Sequence, residues 1–265
     1  MVPLAPVGRL EKLEIDVSAA CVPRDAAAAV LDVAGGKAMF IGPDSPMNSV
    51  KGVGMAGPVS ARELDAISAF FRERGQTAPV TFDACPFADD SLVALISERA
   101  WPFAGFEQVL WRGIDSAKPD AAPAPIAGLT ITAIDSSRAE EWALVLARVF
   151  SGLDDPPRWH IDIGVRGFAA PGGTAWAALH GGRIVAAARS LVFDGAAHLS
   201  GAAVLPEFRN RGLQTAMLLA RLRQAAELGC DLAKIDTKAG TTSQRNAQRL
   251  GFEVAYTRGQ FMMPV

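Results

Sequence analysis

The most informative segment of the sequence is Val204-Leu-Pro206-Glu-Phe-Arg209-Asn-Arg-Gly212-Leu-Gln-Thr-Ala216. It joins an apolar segment that ends at Val204 to a long apolar segment that begins near Gly212. Pro206 cannot donate to the hydrogen-bond ladder of a sheet, so a strand is predicted to end just before it. A helix, apolar around most of its circumference, is predicted from about Gly212 to Leu228, which indicates that it is buried against a sheet. The pattern therefore predicts strand, short polar turn and long helix.

The polar turn has the chemistry of an anion site. The first N–H groups of a helix have no intrahelical partner, and the helix dipole adds partial positive charge there. Gly212 lets a ligand approach the backbone without a Cβ atom in the way. Arg209 and Arg211 add full charges, so the turn suits a pyrophosphate. A plain strand–helix turn with exposed arginines would have the same residues, and the pattern alone does not separate the two interpretations.

The segment resembles the acyl-CoA loop of the GNAT superfamily of N-acetyltransferases, whose pattern is R/Q-x-x-G-x-G/A after a strand ending in V-x-P. Arg209 and Gly212 match, whereas Gln214 stands where the family has a small residue. The resemblance extends from Leu129 to Val265 and includes Leu250-Gly-Phe252, similar to the L-G-F that ends the family's motif B. It implies an α/β fold with a mixed central sheet, the acyl-CoA N-acyltransferase (GNAT) fold. It also implies an enzyme that moves an acetyl group from acetyl-CoA to a primary amine by direct attack.

The resemblance further implies which residues hold acetyl-CoA. In this family the strand at Ala202–Val204 splays from its neighbour at Leu232–Asp236, and the pantetheine arm lies in the gap. The expected main-chain contacts to the arm come from Ala203, Val204 and Leu205. The expected phosphate-binding residues are Arg209, Asn210, Arg211, Gly212, Leu213, Gln214 and Thr215. Two further candidates on the next short helix are Ser243 and Asn246. No metal is expected.

The implied catalytic residues depart from the family pattern. Many members have a Glu six residues before the position of Val204, and here that residue is His198, which could take a proton from the amine through water. The family's general acid is usually a Tyr at the position of Ala247, so the motif is broken there. Tyr256, the chain's single Tyr, could reach the same gap from the last strand. A packing or hydrogen-bonding role is the alternative for both residues. A non-catalytic acyl-CoA-binding sensor or scaffold is the alternative for the domain.

A proline- and alanine-rich stretch divides the chain. Ile114–Gly128 contains Pro119, Pro123 and Pro125 among small residues, so it can hold neither a regular helix nor a central strand. We therefore predict an N-terminal domain over residues 1–115, a linker over 116–127 and the acetyltransferase domain over 128–265. Within the last of these, the Pro- and Gly-rich region Gly152–Gly173 is expected to help form the acceptor pocket.

The N-terminal half repeats part of this organisation. A predicted helix over Ala61–Arg74, a strand over Val80–Asp83 and a further helix and strand follow the same order as the segment after Gly212. Ser60 and Glu63 predict a capping box, which puts a carboxylate where an anion would otherwise sit. No R-x-x-G stands there. We interpret this half as a degenerate GNAT-like domain, in a tandem pair, that has lost CoA binding; the alternative is coincidence, because this element order is common.

Composition and charge narrow the classes of function. The net charge of −2 argues against a nucleic-acid-binding protein, while residues 128–265 carry 15 basic and 12 acidic side chains, an excess that suits a polyanionic small ligand. Three scattered cysteines allow neither a metal motif nor a disulfide framework, as is typical of a reducing compartment. The sequence has no secretory signal pattern and no run of about 18 apolar residues. We therefore expect a cytoplasmic protein without a membrane partner, a monomer or homodimer, with a small-molecule or peptide amine as acceptor.

Overall fold

The computed structural model describes residues 6–23 and 28–265, which form two compact units. The first unit comprises the described residues up to Val109 together with Asp236–Gly240 and Val254–Val265. The second comprises Leu110–Ile235 and Thr241–Glu253. The predicted linker over residues 116–127 thus lies within the second unit, and the end of the chain belongs to the first. A division into separate domains at 116–127 stays a prediction.

The first unit contains three helices and six strands among its described residues. In chain order these are α1 (Val7–Ala20), β1 (Ala29–Val33), β2 (Gly36–Phe40), β3 (Ser49–Lys51), α2 (Ala61–Arg72), β4 (Val80–Ala84), α3 (Asp90–Glu98), most of β5 (Phe103–Gly113) and, from the chain's end, most of β11 (Glu253–Met263). Their order in the sheet is β1-β2-β3-β4-β11-β5. Strands β3 and β4 are parallel, whereas β1–β2, β2–β3 and β4–β11 are antiparallel. A core of aliphatic and aromatic residues, with Phe71 and Phe82 at its centre, packs α2 and α3 on this sheet.

The second unit contains the predicted strand, turn and long helix, and also a helix within the Pro- and Gly-rich region Gly152–Gly173 that the sequence does not predict. It contains β6 (Leu129–Ile134), α4 (Ala139–Ser151), α5 (Arg158–Phe168), β7 (Gly173–His180), β8 (Arg183–Phe193), β9 (Ala196–Val204), α6 (Leu213–Glu227), most of β10 (Leu232–Thr237) and α7 (Thr242–Arg249). The sheet order is β6-β7-β8-β9-β10. Strands β6 to β9 are antiparallel, and β9 pairs with β10 in parallel across α6. The α/β fold with a mixed sheet is confirmed.

Helix α6 is buried on several sides, as its sequence predicts. Leu213 and Met217 belong to the core that also contains Trp142 of α4 and the alanines of β8. Ala186 and Ala187 are fully buried, because small side chains let helices approach both faces of the strand. This packing fixes the N-terminus of α6 next to the end of β9. In the described part of the chain, no helix combines the length and the apolar character needed to cross a membrane.

The repeated order of elements is confirmed. In the first unit an antiparallel set, β1-β2-β3, is followed by α2, the parallel strand β4, α3 and β5. After β7-β8-β9 the chain continues with α6, the parallel strand β10, α7 and β11, of which β11 belongs mostly to the first unit. The strand before each long helix pairs in parallel with the strand after it. The start of α2 in the first unit therefore corresponds to the start of α6 in the second.

Candidate functional site

A bulge in β9 shapes the end of this strand. Arg189 of β8 pairs with Ser200, but Ala187 pairs with Ala203, so β9 carries one extra residue between these rungs. Gly201, inside the bulge, has a φ of 60°, a left-handed conformation that a glycine adopts without strain. Bulges bend and twist a strand. The last residues of β9 are consequently redirected relative to the residues before Ser200.

The pairing of β9 with β10 is shorter than either strand. The parallel register joins Leu232–Lys234 to Ala196–His198, while β9 continues to Val204. The Leu205 N–H donates to the Val185 carbonyl at 3.0 Å, so the main chain of Leu205 faces β8. By the alternation of an antiparallel ladder, Ala203 also faces β8, and the N–H and C=O of Val204 face away from it. Of the three residues predicted to bind pantetheine by main chain, Val204 alone has this outward orientation.

The loop after β9 starts helix α6 without a side-chain cap. Asn210 and Gly212 have φ values of 62° and 77°, and Gly212 is the N-cap residue. The first intrahelical bond runs from the Ala216 N–H to the Gly212 carbonyl at 3.0 Å. The N–H groups of residues 213–215 therefore precede the helical ladder. Nothing lies within 4 Å of a Cβ placed on Gly212, so the left-handed backbone, rather than crowding within the chain, requires glycine.

Both loop arginines are exposed and anchored to the loop itself. Arg209 Nε donates to the Val204 carbonyl at 3.1 Å, and Arg211 Nη2 donates to the Glu207 carbonyl at 3.3 Å. The Arg211 guanidinium also lies 5.1 Å from the centre of the Phe208 ring. A guanidinium has five N–H donors, and these contacts use one bond each. The donors of this loop fit a pyrophosphate group: two guanidinium groups and the first turn of a helix.

Gln214, the departure from the family pattern, turns toward α7. Its Nε2 donates to Ser243 Oγ at 3.2 Å, and Asn246 Nδ2 donates to Gln214 Oε1 at 2.7 Å. The structure thus brings together Gln214, Ser243 and Asn246, which the sequence predicts as CoA contacts on separate helices. Leu213 is buried in the core, and Thr215 is half-buried. Contacts of all these residues with CoA stay predictions.

His198 lies on β9 at the last rung that is shared with β10. Its side chain is buried, and the register places it opposite Leu191 and Lys234. Alternation puts His198, Ser200 and the cross-strand neighbour Arg189 on one face of the sheet. Arg189 Nη1 donates to the Gly167 carbonyl of α5 at 2.9 Å. This face is therefore next to the region predicted to bind the acceptor.

Tyr256 lies in the first unit, where both its hydroxyl and its ring contact other residues of that unit. It is buried, its hydroxyl donates to a Glu11 carboxylate oxygen, and its ring meets Phe87 edge to face at 5.8 Å. Burial, followed by the charge of Glu11, raises the pKa of Tyr256 far above its usual value. Ala247, at the position of the family Tyr, is buried on α7. A role for Tyr256 as the general acid stays a prediction.

In the first unit, the corresponding positions are occupied by the chain's own side chains. The capping box at α2 is confirmed: the Glu63 N–H donates to Ser60 Oγ at 3.3 Å, and the Ser60 N–H donates to Glu63 Oε2 at 2.7 Å. Strand β3 pairs with β4 as far as Val50 and Phe82. At the next positions Lys51 Nζ and Asp83 Oδ2 form a buried ion pair at 2.6 Å.

An ionic cluster that the sequence does not predict continues from this pair. Arg258 is fully buried, and its guanidinium nitrogens lie 3.3 to 3.9 Å from carboxylate oxygens of Glu11, Glu14, Asp83, Glu107 and Asp236. Burial, reinforced by the charge of Asp236, raises the pKa of Glu107 to about 7. The pKa of Asp83 is lowered despite its burial, because Lys51 and Arg258 stabilise its charged form. The charged residues of this cluster are far apart in the sequence, so no local sequence pattern predicts the cluster.

Comparison with known proteins agrees with these observations. Residues 128–252 match the profile described as the Acetyltransferase (GNAT) family. A GCN5-related N-acetyltransferase from Kribbella flavida has a similar fold, with a TM-score of 0.70 and 16% identity over 100% of this chain and 97% of that one. A tandem GNAT protein from the clavulanic acid biosynthesis pathway gives a TM-score of 0.64 and 16% identity, over 97% and 95% of the two chains. No curated protein matches the sequence.

The fold and the family match together make the chain an acyltransferase of the GNAT type. More particularly, this chain carries a GNAT acetyltransferase domain over residues 128–252 and has the fold of tandem GNAT proteins.

Proposed function

We propose that the second unit transfers an acetyl group from acetyl-CoA to a primary amine of a small molecule or peptide by direct attack. The observation that carries this proposal is the uncapped, left-handed start of α6 at Gly212, directly after the bulged end of β9. A helix N-terminus of this kind offers N–H donors and partial positive charge to a phosphate. Its position beside an outward-facing main chain at Val204 suits a ligand that has both a pyrophosphate and an amide-containing arm.

Each part of the site has one task. Residues 209–215 bind the pyrophosphate, and the main chain of Val204 aligns the pantetheine arm. Acetyl-CoA, when bound, supplies an already activated thioester. The chain then has to orient the amine and move protons: the C–N bond forms, the C–S bond breaks, and the thiolate takes up a proton.

His198 is the residue that we propose as proton acceptor for the attacking amine, through water where the distance requires it. An imidazole can both accept and release a proton near neutral pH, which suits this task. The position on β9, two residues before the last regular rung at Ser200, supports the assignment. Tyr256 was the predicted proton donor, but its bond to Glu11 gives it a competing structural role. We therefore rest no step on Tyr256.

The acceptor is proposed to bind near α5, in the region Gly152–Gly173. We propose a cytoplasmic enzyme that is a monomer or homodimer. One observation favours the alternative of a non-catalytic acyl-CoA sensor or scaffold: Ala247 replaces the family's acid and is buried. Thiol release in the presence and absence of a library of amines separates the two, since a sensor binds acetyl-CoA without amine-dependent release.

Calorimetric titration with acetyl-CoA tests the proposal first. We expect one site per chain, because the helix start in the first unit is closed by its own capping box. The double variant Arg209→Ala, Arg211→Ala should weaken binding by about 2–4 kcal/mol, since charge-assisted hydrogen bonds contribute roughly 1.5–3 kcal/mol each.

The matched control is Arg158→Ala with Arg166→Ala, which removes two exposed positive charges from α5 in the same unit. It should bind acetyl-CoA like the wild-type protein. Equal affinity of the loop double variant and the wild type would reject the phosphate-loop assignment. Two equivalents bound per chain would reject the silent first unit, and no binding at millimolar acetyl-CoA would reject the proposed function.

A further inference from the structure

Helix α6 contains a buried cation whose hydrogen bonds all go to main-chain carbonyls. The Arg221 side chain is 2% exposed, and its Nε donates to the Met217 carbonyl at 3.2 Å, one turn back. Its Nη1 donates to the Arg189 carbonyl of β8 at 3.1 Å and to the Ser200 carbonyl of β9 at 3.4 Å. Burial lowers the pKa of Arg221 to about 10, and no neighbouring charge contributes to that shift.

Stability does not explain this arrangement. Burying a charge is costly, and well-packed apolar residues in place of buried ionic groups are often neutral or stabilising. Within the described residues, no carboxylate forms an ion pair with Arg221. A methionine would fill the same space on α6 without the cost of desolvating a guanidinium. The presence of Arg221 therefore points to what its hydrogen bonds hold in place.

Those bonds converge on the rung that precedes the bulge. Arg189 and Ser200 form the last pair before the extra residue in β9, and Gly201 follows with its left-handed φ. Val204, whose main chain faces away from β8, is only a few residues further on. The guanidinium thus links the helix whose first turn forms the anion site to the strand whose end faces the proposed pantetheine path.

We propose that Arg221 is a positioning residue for acyl-CoA: it fixes the β9 bulge against α6, so that the pantetheine-aligning strand end and the phosphate-binding helix start keep one geometry. This inference rests on the proposed function. It assigns Arg221 no contact with the ligand and no part in proton transfer.

The test compares two ligands that differ in the pantetheine arm. Acetyl-CoA engages both the helix start and the end of β9, whereas 3′-phospho-ADP has the pyrophosphate but no arm. In Arg221→Met, acetyl-CoA affinity should fall about 3- to 30-fold, the range of coupling carried by residues that do not touch a ligand. The affinity for 3′-phospho-ADP should stay within about twofold of the wild type, because the helix start is unchanged. A merely structural role would weaken both ligands alike or neither.

Gln224→Met is the matched control on the same helix. Gln224 accepts from Ser190 Oγ at 2.8 Å and donates to Thr174 Oγ1 at 2.8 Å, so these bonds go to side chains and not to the main chain of the Arg189–Ser200 rung. This variant should lose thermal stability and keep the wild-type preference for acetyl-CoA over 3′-phospho-ADP. Amide exchange at Leu205, whose N–H donates to the Val185 carbonyl, should be faster in Arg221→Met and unchanged in Gln224→Met.

The outcomes separate this inference from the proposed function. Wild-type protein that binds neither ligand refutes the acyl-CoA site, and the role of Arg221 with it. Wild-type binding that Arg221→Met leaves unchanged, or that Gln224→Met reduces equally, refutes the role of Arg221 alone. If Arg221→Met does not fold, Arg221→Lys keeps the charge and one donor group, and it should show a smaller loss confined to acetyl-CoA. Loss of both ligands in a folded Arg221→Lys overturns the inference.

Discussion

At the scale of single residues, a larger side chain need not block a binding site when neighbouring residues hold it away from that site. Gln214 is larger than the small residue of the family pattern, and the sequence leaves open whether it blocks the loop. In the structure, the Gln214 side-chain amide forms hydrogen bonds with Ser243 and Asn246 of α7. The side chain is thereby directed to α7, which supports an accessible first turn of α6.

Gly212 is the residue of the loop that tolerates change least. Its φ of 77° is left-handed, and a non-glycine residue there costs about 1–2 kcal/mol. We expect Gly212→Ala to lower the free energy of unfolding by this amount, measured by urea denaturation. Gly8→Ala, inside α1 with open space around the added methyl, should instead raise stability by about 0.5 kcal/mol. A Gly212→Ala protein as stable as the wild type would contradict the conformational role of this glycine.

At the scale of elements, buried charges tie the first unit together. Arg258 of β11 connects Glu11 and Glu14 of α1, Asp83 of β4 and Glu107 of β5. The acidic groups outnumber the cations Arg258 and Lys51, so one carboxylate retains its proton to higher pH than usual. That carboxylate is Glu107, with its pKa of about 7.

This ionisation gives a pH-dependent stability. Because the folded-state pKa of Glu107 lies above its ordinary value of 4.5, folded protein binds more protons than unfolded protein between these values. The contribution of Glu107 to stability therefore falls as pH rises from about 4.5 to about 7. The Glu107→Gln variant lacks this pH-dependent contribution. Its free energy of unfolding relative to that of the wild type should therefore rise between pH 5 and pH 8, by on the order of 2 kcal/mol.

Chemical denaturation at a series of pH values measures the difference. Asp65→Asn provides the control, because Asp65 is an exposed carboxylate of the same unit that pairs with Arg99 at the surface. Its stability relative to the wild type should change little over the range. A constant difference between Glu107→Gln and the wild type from pH 5 to pH 8 would show that Glu107 titrates normally.

At the scale of the whole molecule, the last strand of the chain belongs to the unit that the first part of the chain forms. Residues 254–265 belong to the first unit, where β11 pairs with β4 from Gly259–Ala84 to Met263–Val80. They also supply Tyr256 and Arg258 to the contacts with α1. The first unit is therefore formed only when sequence positions separated by the entire second unit come together.

Removal of this strand tests that dependence. A chain that ends at Glu253 should lose the protease resistance of residues 28–109, because β4 loses its partner strand and the acidic cluster loses its main cation. A chain that lacks only Pro264 and Val265 retains β11 and should keep that resistance. Identical proteolysis of the shortened and full-length chains over residues 28–109 would refute the dependence.

The local features of this protein are encoded by residues close together in the sequence. The end of β9 before Pro206, the course of α6, the capping box of α2 and the repeated element order were all predicted, and the structure confirms them. These features depend on neighbouring residues: proline ends a ladder, periodic apolar positions define a buried helix, and Ser with Glu three residues later caps one. The GNAT resemblance depends on the same short segment.

The contacts between residues far apart in the sequence became known from the tertiary structure. It showed that β9 bulges at Gly201, that Arg221 reaches across two strands, that Gln214 bonds to another helix and that Tyr256 meets Glu11. It also revealed α5 within a Pro-rich stretch and the return of β11 to the first unit. These facts were not readable from the sequence, because hydrogen bonds and ion pairs between distant positions leave no periodic pattern. They arise only when folding brings those positions within a few ångströms of each other.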